Sequence, residues 1–178
     1  MGLGFNLGCE TEFYVLKRTD DGGVRPIFGE KFTGLCPAYD VRLTSESMAF
    51  LDPMVRYMNE LDYAVYSFDQ EGGHGQYEFD FKHADALTTC DRLTFFRLMA
   101  KQVAAEIGAF ASFMPKPFPG DFRSGAHFNM SLFDLETGDN VFRPKDDANG
   151  DQPLRSKYGV NAADLALHFT AGVIRHAP

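Results

Sequence analysis

The chain has 178 residues, 44% of them hydrophobic and 18 of them phenylalanine, which excludes a disordered tail and is enough to bury one sizeable core. Seventeen basic against 25 acidic residues leave a net charge of −8, which disfavours a nucleic-acid partner because phosphate neutralisation needs clustered Lys and Arg. No stretch is long and apolar enough to span a bilayer, the opening MGLGFNLG lacks the basic start and apolar core of a signal peptide, and Asn6 stands where myristoylation of Gly2 needs Ser or Thr. The cysteines Cys9, Cys36 and Cys90 are odd in number, far apart and free of any CxxC spacing, so neither a disulfide framework nor a zinc finger is indicated. A reducing cytoplasm is the simplest compartment.

In chain order, residues 4–17 read as one β-strand, rich in Thr, Phe, Tyr, Val and Leu. A polar, glycine-rich turn or hairpin loop follows. Met48, Leu51, Val55, Met58 and Leu61 recur at helical spacing, with Thr44 or Ser45 as cap and Pro53 as the start of the helix or the site of a kink. YAVYSFD and GQYEFDF are strands, the second with Tyr77, Phe79 and Phe81 on one face and Glu78 and Asp80 on the other. A long helix spans about 85–107, capped by Asp85 and stopped at Gly108. AFASFM is a short strand, PKPFPGD a turn, and GAHFNMSLFD a strand with His127, Asn129 and Ser131 on one face. The last helix, NAADLALHFTAGVIRH, takes Asn161 as cap with Asp164 at its third position. Strands and helices do not alternate strictly, so the pattern predicts an α+β fold, a mainly antiparallel curved sheet with helices packed on one side. There is no internal repeat, no GxGxxG and no phosphate-binding P-loop.

The opening strand holds GCETEF. Glu10 and Glu12 project from one face, about 7 Å apart, and repel each other. Either the face is the solvated outside of an edge strand, or the two carboxylates share a cation that turns repulsion into attraction. Glu71 and Glu78 flank a glycine-rich turn, and a hairpin there brings them together at one rim of the sheet. His127 heads a later strand after two small residues and is either a structural hydrogen-bonding group or a ligand. Four carboxylates with one imidazole suit Mg²⁺ or Mn²⁺ better than zinc, and two such cations would serve phosphoryl transfer.

The same segments resemble the catalytic domain of glutamine synthetase. ETEF at 10–13, EGGHGQYEF at 71–79, FMPKPFPGD at 113–121, SGAHFNMSL at 124–132 and GVIRHAP at 172–178 resemble that family's motifs and occur in its order. The resemblance implies that Glu12, Glu71 and Glu78 hold the metal beside glutamate and ammonia, that Glu10 and His127 hold a second metal by the ATP phosphates, and that Glu12, Glu78 and His127 stand at the reacting centre. Asn129, Ser131 and His83 fall at positions near the nucleotide. The implied activity is an ATP-dependent ligation, through an acyl phosphate, of the glutamate γ-carboxylate to ammonia or a small amine, with two or more Mg²⁺ or Mn²⁺ ions. Phe122 replaces a small polar residue of the family pattern, Arg123 a glycine, Asn129 a second histidine, and His83 an aromatic. Relatives join glutamate to methylamine or polyamines. The resemblance also implies that residues 1–178 are a partial catalytic domain without an N-terminal β-grasp domain or a C-terminal half. Such a chain is expected to be inactive alone and to belong to a protein that forms a homo-oligomeric ring. A non-catalytic scaffold and a metal-dependent hydrolase are the competing readings.

Overall fold

The computed structural model describes residues 2–29, 34, 36–144 and 162–177. Its elements in chain order are β1 (Leu3–Arg18), β2 (Val24–Pro26), α1 (Val41–Glu46), α2 (Met48–Glu60), β3 (Val65–Gln70), β4 (Gln76–Phe81), β5 (Ala84–Asp85), α3 (Ala86–Glu106), β6 (Phe110–Ser112), β7 (Ala126–Asp134) and α4 (Asp164–His176). The long first strand is the hub of the sheet. Strand order runs β2-β1-β4-β3, and β5, β6 and β7 also pair with β1. The β1 pairings with β2, β4 and β6, and the β3–β4 pairing, are antiparallel. The α+β architecture read from the element order is therefore the observed one, and no helix among the described residues is long and apolar enough to cross a membrane.

The chain divides into two compact units, Gly8–Asn129 and a second made of Met1–Leu7 with Met130–Pro178. The core of the first follows from strand alternation. Phe13 and Val15 on β1 and Tyr77, Phe79 and Phe81 on β4 turn to one face and are buried there by Phe50, Leu51, Met54 and Met58 of α2 and Phe96, Ala100 and Val103 of α3. Phe13 is fully buried, with ring centroids of Phe113, Phe96, Phe50 and Phe79 at 5.1, 5.6, 5.9 and 6.2 Å. Burying one such ring stabilises the fold by about 1.5–3 kcal/mol. On the opposite face, Glu10 and Glu12 of β1 and Glu78 and Asp80 of β4 project together, followed along β1 by the buried Tyr14 and Leu16. In the second unit, Gly4 sits against Phe133, whose ring would lie 2.2 Å from any Cβ there, and the Phe169 ring of α4 packs with Phe5 and Phe142.

Several boundaries differ from the sequence reading. The stretch expected as one helix is two, broken at Ser47, and neither Thr44 nor Ser45 caps it. Asp40 does, accepting from the N–H groups of Arg42 and Leu43 at 2.9 and 3.2 Å. An aspartate one residue before a helix satisfies orphan N–H groups better than a hydroxyl inside it. Pro53 lies inside α2 without ending it. The long helix α3 matches its expected ends, with the Asp85 carboxylate accepting from Thr88 N–H at 3.1 Å and Gly108 at φ +72° just past the C-terminus. Helix α4 begins at Asp164 after Ala163, so Asp164 is its first rather than third residue, and Asn161 lies outside the described residues.

Candidate active site

Register decides what the polar face contains. In the β1–β4 ladder, Glu10 lies opposite Asp80 and Glu12 opposite Glu78. In the β3–β4 ladder, Glu78 lies opposite Asp69 and Asp80 opposite Ser67. Their strand neighbours Thr11, Phe13, Tyr77 and Phe79 are buried, so by the period of two these carboxylates share the other face. Glu10, Glu12, Glu78, Asp80 and Asp69 thus stand together on three adjacent strands. The edge-strand explanation for the paired glutamates fails, because β1 is the most connected strand of the sheet.

One ligand atom each from Glu10, Glu78 and His127 lies within 4.8 Å of the others. His127 Nδ1 is 3.4 Å from Glu10 Oε2, and the Asn129 amide donates to Glu10 Oε1 at 2.6 Å. These contacts follow from β7 alternation, which puts His127 and Asn129 on the same side. Two carboxylates and one imidazole match a hard divalent cation, and the arrangement costs electrostatic free energy without one.

The carboxyl groups register that cost. Burial, then the charges of Asp80, Glu71, Glu12 and Glu10, push Glu78 up from 4.5 to about 8. Burial, then Glu12, raises Glu71. Burial, then Glu10 and Asp69, raises Asp80, whose Oδ1 is buried without a hydrogen-bond partner. An orphaned carboxylate oxygen beside a carboxyl forced toward neutrality fits a missing positive charge.

The expected site residues are placed as follows. Glu10, Glu78 and His127 form one group, where the family resemblance divides them between two metals. Glu12 is on the same face, with Oε2 accepting from the Gln76 amide at 2.7 Å. Glu71 is not on a strand but in the β3–β4 turn, its N–H donating to the Gln76 carbonyl at 2.9 Å. That turn is held internally by the buried Gln70, whose amide donates to the carbonyls of Gln76, Gly73 and Glu71 at 2.9, 3.2 and 3.3 Å. Glu12 and Glu71 form no second three-ligand group among the described residues. His83 and Asn129 both border Gly8, their Cβ atoms 3.6 and 3.5 Å from where a Cβ on Gly8 would lie. Ser131 lies two residues beyond Asn129 on β7, within the second compact unit.

Sequence reasoning left out three groups. Asp69 joins the face only through the β3–β4 register. Asp80 alternates with Glu78 in YEFDF, a visible signal, but its burial depends on its neighbours. Gln76, 1% exposed, lies on the same face of β4 as Glu78, and its partners include Glu12 and the distant Arg123.

Comparison with known proteins gives the family. The family model described as "Glutamine synthetase, catalytic domain" matches residues 1–178. A glutamate–methylamine ligase of Methyloversatilis universalis is 34% identical over 177 residues, covering 99% of this chain and 37% of that protein. A glutamine synthetase of Rhizobium leguminosarum bv. phaseoli is 33% identical over 177 residues, with the same coverages of 99% and 37%. The solved structure "GmaS/ADP complex-Conformation 1" superposes with a TM-score of 0.82 at 30% identity, covering 98% of this chain and 37% of that one. The chain spans 37% of the length of these relatives. Its motifs, its acidic sheet face and a family match along its whole length make it a member of the glutamine synthetase catalytic-domain family.

Proposed function

We propose that the chain forms the divalent-cation and reacting-centre part of an ATP-dependent ligase that joins the γ-carboxylate of glutamate to ammonia or a small amine. The observation that carries this is the Glu10–Glu78–His127 group, with ligand atoms within 4.8 Å of one another on an acidic sheet face of this family. One Mg²⁺ or Mn²⁺ would be held by Glu10, Glu78 and His127, and a second ion would draw on Glu12 and Glu71. Bound there, such ions would offset charge on phosphate oxygens. Strand-mounted carboxylates hold such ions without loop rearrangement.

In the proposed reaction a glutamate γ-carboxylate oxygen attacks the γ-phosphorus of ATP and ADP leaves. A bound ammonium or alkylammonium first gives one proton to a carboxylate of the acidic face; the neutral nitrogen then attacks the acyl carbon, the C–O bond to phosphate breaks so that phosphate leaves, and the nitrogen loses a second proton. Glu12, Glu78 and His127 stand at this centre, and the density of carboxylates favours a cationic ammonium or alkylammonium as the second substrate. Asn129, Ser131 and His83 belong to the nucleotide side. The whole protein would act as a homo-oligomeric ring in the cytoplasm. The relatives named above support ammonia and methylamine as the amines to test first.

The test is an ADP-release assay on the natural protein that carries these residues, with glutamate, Mg·ATP and either ammonia or methylamine. The reading expects ADP release that needs both glutamate and an amine, with the matching γ-glutamyl amide as product. A folded protein that binds Mn²⁺ yet forms no amide would favour a non-catalytic scaffold. Water-dependent cleavage of ATP without amide would favour a hydrolase.

A further inference from the structure

Gln76 is almost wholly buried, yet every polar atom of its side chain is engaged. Its Oε1 accepts from the Gly73 N–H at 2.9 Å, which fixes the orientation of the amide. Its Nε2 then donates to Glu12 Oε2 at 2.7 Å and to the Arg123 carbonyl at 2.9 Å, with Ser124 Oγ at 3.3 Å. Tyr14, fully buried, makes the parallel contact one residue earlier, its hydroxyl donating to the Phe122 carbonyl at 2.7 Å. Both side chains pass the β3–β4 turn at Gly73, where a Cβ would lie 2.1 Å from the Tyr14 hydroxyl oxygen and 2.7 Å from Gln76 Oε1. On the far side, Glu12 N–H donates to the Gly125 carbonyl at 3.2 Å, and a Cβ on Gly125 would lie 2.8 Å from Glu12 Oε1.

We infer that Gln76 is a positioning residue for the proposed ligase, and the inference rests on that reading. It pins Oε2 of Glu12, leaves Oε1 beside Gly125, and ties the Arg123 carbonyl to the same carboxylate. The loop that departs most from the family pattern, through Phe122 and Arg123, is thereby wired to the strand that carries the ligands. Only an uncharged double donor does this. A glutamate at position 76 would repel Glu12 and lose the donor to Arg123, and a leucine would leave the Arg123 carbonyl unpaired and Glu12 free to rotate.

The test compares the full chain with Gln76→Leu by calorimetric titration with Mn²⁺, with cooperative thermal unfolding as the check on folding. The inference expects a folded variant whose apparent Kd for Mn²⁺ is weakened about 10–100-fold, the range seen when partners that orient ligands are removed. Binding within twofold of wild type would overturn it. If Gln76→Leu fails to fold, the wild type decides. The Gln76 side-chain N–H₂ resonances should shift on saturation with Mg²⁺, whereas a purely structural amide would stay still while His127 resonances move. Wild-type protein that binds neither ion would overturn the ligase reading itself. Wild-type binding with a silent Gln76 would overturn only the positioning role.

Discussion

Replacing Glu78 by Gln should stabilise the metal-free protein at pH 8 while removing its response to divalent cations. The sign comes from linkage. Glu78 titrates at about 8 in the folded chain against an ordinary value of 4.5, so its contribution to stability is fully present below pH 4.5 and is lost as pH rises through 8. An unscreened rise of that size would correspond to about 5 kcal/mol. Glu78 is only half-buried, so water screens much of it and about 1–2 kcal/mol is expected. In a protein of this size that is a rise in Tm of roughly 3–8 °C for Glu78→Gln at pH 8, shrinking toward zero below pH 4.5, where Glu78 is neutral in the folded chain and largely so in the unfolded one. Thermal unfolding at the two pH values, with and without Mn²⁺, measures this directly. Saturating Mn²⁺ should raise the wild-type Tm and leave the variant's unchanged. A variant less stable than wild type at pH 8 without metal would refute the claim that Glu78 bears an uncompensated charge.

Mn²⁺ affinity should increase by up to about tenfold per pH unit between pH 6 and 8, with close to one proton released per ion near pH 7, because the Glu78 proton must leave. Titrations in buffers of different ionisation enthalpy report that proton, and a flat profile would contradict the assignment of Glu78 as a ligand. Gly125→Ala would place a methyl 2.8 Å from Glu12 Oε1 and 3.2 Å from His127 Nε2. It should weaken Mn²⁺ binding at least tenfold while leaving the far-ultraviolet circular dichroism unchanged, and wild-type affinity would show that neither group matters to the ion. Phe13→Ala, at the centre of the aromatic core, should cost about 3–5 kcal/mol in denaturant unfolding. A loss under 1 kcal/mol would mean the core is not organised around that ring.

Local chemistry was legible where it sits within one element. The alternation in YEFDF separates Tyr77 and Phe79 from Glu78 and Asp80, and the α3 ends at Asp85 and Gly108 follow from capping and left-handed backbone. Likewise, GCETEF places Glu10 and Glu12 on one face without any partner strand in view. What the chain order leaves open is pairing. Glu10 meets Asp80, and Glu78 meets Asp69, only because of the registers of two ladders, and strand sequences alone are compatible with neighbouring registers. The contact between Gln76 and Arg123 spans 47 residues and depends on a turn tight enough to admit two buried side chains at Gly73. Helix starts failed where two signals competed: Thr44 and Ser45 resemble caps, but Asp40 lies at the true first turn, and their hydroxyls bond back to the carbonyls of Asp40 and Val41 inside α1.

The central claim is that the acidic sheet face is a divalent-cation site. The most direct measurement is a calorimetric titration of the full chain with Mn²⁺ beside a Glu10→Gln, Glu78→Gln double variant. The account predicts saturable binding in the wild type that vanishes in a variant of equal or greater metal-free stability. A folded wild type that takes up no ion, or a double variant that binds as well as wild type, would contradict it.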